Sequence, residues 1–189
     1  MLLFESVGHV STYRILQDID KEFAEKRRGE RCAHCGGPLH QSKYLRKPRG
    51  GPSGLSESLS VRFSLCCGAE GCRRRVLPKS VLFDGRRVYW RMVILVVVAL
   101  RGQRDSGFTM ERLKSRLGVD AKTVRRWQQW YRERLSPRGE WHSLGSRLAQ
   151  GLQPDQEVEC LVTAFIDDGD PEGGMVRLLR YIATFEHVF

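Results

Sequence analysis

The chain of 189 residues is 41% hydrophobic and 29% charged, a composition that indicates a globular protein and excludes a wholly disordered one. Its net charge is +10, but residues 151–189 hold eight acidic and two basic residues, whereas residues 1–150 hold 14 acidic and 30 basic ones. A basic body of this kind favours a polyanionic partner, although an arginine-rich protein without such a partner would have the same composition.

The N-terminal segment, residues 1–30, predicts one helix over residues 11–28. Ser11 is the expected N-cap, and three basic residues at positions 26–28 suit a helix C-terminus. The apolar positions that recur at helical spacing are Tyr13, Leu16, Ile19 and Phe23. The first residues lack the apolar run of a signal peptide, so we expect a cytoplasmic protein with reduced cysteines.

Two groups of cysteines, about 30 residues apart, lie within residues 31–85. In a reducing compartment, clustered cysteines indicate a metal site. Cys32 and Cys35 have the two-residue gap that lets one turn present two thiolates to one ion, and Gly36 lets the chain curl around it. With a strand expected at residues 61–65, the segment predicts a small β zinc ribbon that holds structural Zn²⁺.

The second cysteine group leaves a choice between Cys66 and Cys67. Adjacent strand residues point to opposite faces, so one should bind the metal and the other should pack. The gap from Cys67 to Cys72 is four residues, inside the usual range, whereas the gap from Cys66 is five. Cys66 remains the alternative third ligand, and the favoured set is Cys32, Cys35, Cys67 and Cys72.

The remaining metal-ligating side chains are assigned other roles. His34 is expected to point away from the ion, His40 is a weaker alternative ligand, and Cys160 is interpreted as inert. No HExxH or HxE pattern lies near the cysteines, so we do not expect catalytic zinc.

Residues 86–136 predict three helices, over residues 86–101, 110–117 and 121–135. The first contains Arg91, ends at Gly102, and has an apolar stretch of 13 residues, shorter than the about 20 residues of a membrane span. We therefore expect a buried core helix and no membrane partner.

The second and third of these helices have the pattern of a helix-turn-helix DNA-binding domain. Gly118 supplies the turn, Asp120 can cap the second helix, and Lys114 departs from the small residue usual at its position. The residues expected to face inward are Leu113, Leu117, Val119, Val124 and Trp127, and Trp130 and Tyr131 are expected to pack rather than stack on bases. The residues predicted to contact double-stranded DNA are Lys122, Thr123, Arg125, Arg126, Gln129 and Arg132.

The C-terminal segment, residues 137–189, predicts two acidic helices, over residues 154–167 and 173–187. The linker between them holds Asp167, Asp168, Asp170 and Glu172, which we interpret as a solvated turn. We expect these helices to cover the basic domain or to bind a protein partner, and not to contact DNA.

The order of these elements resembles the N-terminal DNA-recognition region of bacterial insertion-sequence transposases. The resemblance covers about residues 31–135: two cysteine pairs, the basic strand CRRRVLPKSVLFDGRRV, the helix VYWRMVILVVVAL and the helix-turn-helix. It implies that the ribbon and the helix-turn-helix bind DNA. Such transposases carry a downstream RNase H-like catalytic domain with an acidic triad. Here about 50 residues remain and their acids crowd one linker, so no nuclease activity is implied.

The sequence therefore predicts a mainly α protein with a small β zinc ribbon followed by a helical bundle. Its expected function is non-enzymatic DNA binding, either as an accessory of a mobile element or as a transcriptional regulator. The alternative is an adaptor that docks a transposase or polymerase subunit through the ribbon and the acidic helices.

Overall fold

The computed structural model describes residues 7–84, 89–102, 109–131, 133, 160, 162–166 and 169–185. These residues form helices and a small three-stranded antiparallel sheet. The elements in chain order are α1 (Val10–Gly29), β1 (Leu39–Leu45), a 3-10 helix (Glu57–Ser60), β2 (Val61–Cys67), β3 (Arg75–Val76), α2 (Arg91–Gly102), α3 (Met110–Leu117), α4 (Ala121–Trp130) and α5 (Pro171–Phe185).

Helix α1 is amphipathic and packs its apolar side against β1 and β2. Tyr13, Leu16 and Ile19 are buried and Phe23 is half-buried, as their spacing predicts. The helix begins at Val10, one residue before the predicted start, and its N-cap is His9. The prediction of Ser11 as the N-cap is therefore wrong, because Ser11 already lies inside the first turn.

The sheet has the order β1-β2-β3, with β2 in the centre. Leu39 pairs with Cys67 at one end of the β1–β2 ladder, and Leu45 pairs with Val61 at the other. Strand β2 is buried on both faces, including Arg62 and Ser64, which the alternating sequence pattern would place in solvent. The second face is closed by α1 and by the segment that follows β3.

A buried carboxylate joins α1 to that segment. Asp20 accepts hydrogen bonds from the Ser80 hydroxyl and from the backbone N–H groups of Val81 (2.6 Å) and Leu82 (3.4 Å). Burial raises the pKa of Asp20, an effect that nearby Arg62 partly offsets. The Arg62 guanidinium donates to the carbonyl of Pro78 at 2.6 Å. Asp20 and Arg62 therefore both bind the segment that follows β3.

Helix α2 is the buried core helix that the sequence predicts. Every residue from Arg91 to Leu100 is buried, and Arg91 donates to the Phe83 carbonyl at 3.0 Å. The predicted start at residue 86 is wrong: Tyr89 and Trp90 form β-bridges, and the helix begins only after them. No helix in the described ranges combines the length and apolar character needed to cross a membrane.

Helices α3 and α4 follow the predicted bounds at 110–117 and from 121, and α4 extends to Trp130. Gly118 adopts a left-handed conformation with a φ of +61° and ends α3, while Asp120 caps α4 by accepting the Thr123 N–H at 2.6 Å. The side chains that lie between the two helices are buried, namely Leu113, Leu117, Val119, Val124 and Trp127. Tyr131 is also buried and Trp130 is half-buried against the core, as expected.

Helix α5 begins at Pro171, two residues before the predicted start, and contacts α1 and α2. Cys160 and residues 162–165 are helical and residue 166 is not, whereas the remainder of the predicted helix over 154–167 lies outside the described residues. One hydrophobic core includes residues of α1, α2, α3, α4 and α5. A second, smaller core holds Cys32, Leu39, Leu65 and Cys67, at the end of the sheet where the cysteines lie.

Candidate functional site

The first pair of cysteines lies on a tight turn between α1 and β1. Gly36 donates its N–H to the Cys32 carbonyl at 2.8 Å, and Cys32 donates to the Gly37 carbonyl at 2.9 Å. Gly36 has a φ of +70°, which favours a residue without a Cβ. The backbone therefore wraps around the side of the turn on which Cys32 and Cys35 lie.

The second pair lies on the turn that follows β2. Cys67 is the last residue of the strand, and its N–H donates to the Arg74 carbonyl at 2.9 Å. Cys72 donates to the Ala69 carbonyl at 3.2 Å, and Gly71 has a φ of +79°. The pairing of Cys67 with Leu39 brings this turn beside the first one, because Leu39 begins the strand that the first turn feeds.

The four thiols converge on one point. All four sulfur atoms lie within 4.8 Å of one another; the Cys35–Cys67 distance is 3.4 Å and the Cys32–Cys72 distance is 3.9 Å. A tetrahedral ion with metal–sulfur bonds of about 2.3 Å requires sulfurs about 3.8 Å apart. The cluster therefore has the dimensions of a four-thiolate metal site, and these cysteines can hold a metal ion.

The electrostatics of the cluster also suit a cation. The backbone N–H groups of His34 and Cys35 lower the pKa of Cys32 to about 7. At Cys67 the N–H of Ala69 acts in the same direction, but burial and the neighbouring thiols outweigh it and raise the pKa to about 12. Four thiolates repel each other at this distance, and a metal ion relieves the repulsion because it binds the deprotonated form.

Comparisons with protein-family models, with curated proteins and with solved structures return no match. What the site can do must therefore follow from its own residues. The structure brings together all four of the favoured cysteines, Cys32, Cys35, Cys67 and Cys72.

The alternative ligands lie elsewhere. Cys66 points its thiol away from the cluster, toward the carbonyl oxygens of Arg73 (3.5 Å) and Cys67 (3.7 Å). His34 is exposed, and the His40 ring lies against Gly68, where a Cβ would overlap it. Neither histidine nor Cys160 belongs to the cluster. The alternation of side chains along β2 explains the separation of Cys66 from Cys67.

Gly37 is a feature of the site that the sequence analysis missed. A Cβ on this residue would lie 2.7 Å from the Ala69 Cβ, 3.0 Å from the Cys67 sulfur and 3.3 Å from the Cys35 sulfur. The two cysteine turns thus touch at Gly37, and only a residue without a side chain allows this approach. The sequence did contain a signal for this contact. Gly36 alone satisfies the turn after Cys35, so a second glycine at position 37 indicates a close approach of another segment.

Helix α4 presents polar and basic side chains opposite its buried residues. Of the predicted DNA contacts, Lys122, Arg125, Arg126 and Gln129 are exposed, and Thr123 is half-buried. Arg126 donates to the Tyr89 hydroxyl at 3.5 Å, and Gln129 donates to Glu133 at 2.8 Å. Arg132 lies outside the described residues.

The acidic C-terminal segment has a structural role in the described region. Met175, Leu178, Leu179 and Ile182 of α5 are buried in the main core. Asp170 is exposed, accepts the Gly173 N–H at 2.8 Å and pairs with Arg177 at 3.1 Å. Asp167 and Asp168 lie outside the described residues. Asp170 thus caps the start of α5.

Proposed function

We propose that this chain is a zinc-containing, non-catalytic protein that binds double-stranded DNA through α4. In this proposal the cysteine-bearing sheet is a zinc ribbon, and α3, the Gly118 turn and α4 form a helix-turn-helix. The observation that carries it is the exposed face of α4, on which Lys122, Arg125, Arg126 and Gln129 lie opposite the buried Val124 and Trp127.

The chemistry of that face supports DNA as the partner. Arginine and glutamine offer paired donors or acceptors to base edges in the major groove, and lysine contacts phosphates. A major-groove helix reads bases mainly through its N-terminal residues, which in α4 include Lys122 and Thr123. The excess of basic residues outside the C-terminal segment would strengthen binding to the phosphate backbone.

The composition of the metal centre supports zinc in a structural role. Four cysteine ligands in a tetrahedron are typical of structural zinc, whereas catalytic zinc keeps one position open for water. Four thiolates leave no such position. Zinc would fix the two cysteine turns and hence the end of the sheet, because its binding energy stabilises the folded state.

The resemblance to the N-terminal region of insertion-sequence transposases belongs to the same proposal. It supports a role as an accessory DNA-binding protein of a mobile element or as a regulator. The adaptor function is less favoured, because Met175, Leu178, Leu179 and Ile182 of α5 are already buried in the chain's own core.

The test is duplex binding by the metal-loaded protein, measured by fluorescence anisotropy on the preferred site from a selection of random duplexes. Arg126→Ala should weaken binding by roughly 1–3 kcal/mol and relax specificity at one position. Lys122→Ala should weaken binding to all sequences and reduce the salt slope by about 0.9.

Two controls separate a DNA contact from a general effect. Lys21→Ala removes an exposed charge from α1, and Tyr89→Phe removes only the hydroxyl to which Arg126 donates. Both should bind the duplex as the wild type does. Wild-type protein without duplex affinity, or equal losses in Lys21→Ala and Lys122→Ala, would contradict the proposal.

A further inference from the structure

A cleft of about 1110 Å³ opens beside the metal centre, and none of the predicted DNA contacts in α4 lines it. One wall is the C-terminal half of α1, from Phe23 to Glu30, and another is the segment 74–79 that contains β3. The end of β1 with the two residues that follow it, residues 32–34 of the first cysteine turn, and Ala183 and Thr184 of α5 also line it. The metal centre therefore forms part of the cleft's wall.

The rim of the cleft is strongly basic. Arg27 and Glu30, which both line it, form an ion pair at 2.8 Å and balance each other. Besides Arg46, five further bases line the cleft, and none of these five has a carboxylate partner among the described residues: Lys26, Lys47, Arg74, Arg75 and Lys79. Lys79 donates to the Thr184 carbonyl at 3.3 Å, a neutral partner. Five positive charges around one cleft raise the local concentration of anions.

The lining between these charges is apolar and includes aromatic rings. Phe23, Tyr44, Leu45 and Val76 line the cleft, and Leu45 is 54% exposed although it is a large apolar residue. Arg46 holds the Tyr44 ring, with its guanidinium 5.5 Å from the ring centre and a hydrogen bond of 3.1 Å to the hydroxyl. Arg46 thus contacts both the ring and the hydroxyl of Tyr44.

We propose that this cleft binds an unpaired strand of nucleic acid. Its phosphates would contact the basic rim, and its bases would lie on the apolar and aromatic floor. Grooves that combine tracking charges with aromatic platforms are typical of proteins that bind single strands. A duplex keeps its bases stacked inside and would leave the exposed Leu45 and the Tyr44 ring without a partner. An acidic peptide would satisfy the charges but not the rings.

The cleft lies close to α4. Lys47, on the rim, precedes Gly50 by three residues, so their Cα atoms are at most about 11 Å apart. Gly50 touches the turn between α3 and α4, since a Cβ there would lie 2.8 Å from Val119, and Gly51 donates to the Leu117 carbonyl at 2.9 Å. The rim of the cleft is therefore joined by a short stretch of chain to the turn that precedes α4.

The test uses full-length, metal-loaded protein and a short labelled oligothymidylate, with anisotropy measured as the salt concentration varies. The double variant Lys47→Ala/Arg75→Ala removes two rim charges. Arg28→Ala/Lys43→Ala is the matched control, since it removes one lysine and one arginine that are exposed but do not line the cleft. The cleft variant should lose about tenfold in affinity or more, and its salt slope should fall by about 1.4, while the control should keep the wild-type values.

Two further arms identify the ligand. Tyr44→Leu should weaken oligothymidylate binding and leave the salt slope unchanged, because it removes a ring and no charge. Polyglutamate of matched charge should compete poorly. The inference is overturned if wild-type protein does not bind the oligonucleotide, if cleft and control variants lose equally, or if polyglutamate competes as well as the oligonucleotide does.

This surface stands apart from the duplex-binding proposal, and the two can fail separately. Arg126→Ala should impair duplex binding and spare oligothymidylate binding, whereas the cleft variant should mainly affect the single strand. Thermal melting and metal content of each variant verify the fold. Lys26→Ala, on the exposed side of α1, removes a single charge from the rim and should reduce the salt slope by about 0.7.

Discussion

Replacing Gly37 by alanine should weaken metal binding, although no ligand is changed. The new Cβ would lie 2.7 Å from the Ala69 Cβ and 3.0 Å from the Cys67 sulfur, closer than carbon and sulfur atoms pack. The two cysteine turns must then move apart. Overpacking of this kind costs roughly 1–3 kcal/mol, which corresponds to an affinity loss of about five- to 150-fold if the cost falls on the metal-bound state.

The assay is competition with a chromophoric chelator, with Co²⁺ as a spectroscopic substitute that reports tetrahedral thiolate coordination. Ala69→Gly in the Gly37→Ala background should restore most of the lost affinity, because it removes the closest contact. Gly29→Ala is the neutral control, since a Cβ at that position has no atom within 4 Å. Wild-type affinity in Gly37→Ala, or no rescue by Ala69→Gly, would refute the packing argument.

Three other perturbations test packing, backbone conformation and helix capping elsewhere in the chain. Leu179→Ala, in the buried face of α5, should lower the free energy of unfolding by about 2–5 kcal/mol in denaturant titrations, whereas exposed Thr184→Ala should change it little. Gly50→Ala should destabilise the chain more than Gly54→Ala: both residues have a positive φ, but only the Gly50 Cβ would meet Val119 and Trp127. The N–H of Thr123 lowers the pKa of Asp120, so this carboxylate stabilises the fold above its unfolded-state pKa, and the contribution is lost as the pH falls through the lower folded-state value. Asp120→Asn should flatten this acid dependence of stability, and NMR titration of wild-type Asp120 at its usual pKa would refute it.

Local patterns predicted the elements whose signals are carried by neighbouring residues. The bounds of α3, the Gly118 turn and the Asp120 cap follow from residues within a few positions of one another, and the structure has them there. The choice of Cys67 over Cys66 followed from strand alternation and ligand spacing, and the thiol geometry agrees with it. These features can be predicted from sequence because a left-handed turn, a helix N-cap or a strand position each favours particular residue types.

What the sequence could not predict depends on contacts between distant segments. Arg62 reads as a solvent-facing strand residue, yet it is 2% exposed, because α1 and the segment after β3 close over that face of β2. The partner that makes its burial tolerable, Asp20, lies 42 positions earlier in the chain. The start of α2 was misplaced for a similar reason, since Tyr89 and Trp90 pair with Arg49 and Phe83 instead of joining the helix.

The central claim is that Cys32, Cys35, Cys67 and Cys72 hold one structural zinc ion, and elemental analysis of the purified protein tests it most directly. We predict one zinc per chain in the wild type and in Cys66→Ser, whose thiol points away from the cluster. Cys72→Ser should lose the metal and melt at a lower temperature. A folded wild-type chain without metal, or a Cys72→Ser variant that keeps zinc while Cys66→Ser loses it, would contradict the account.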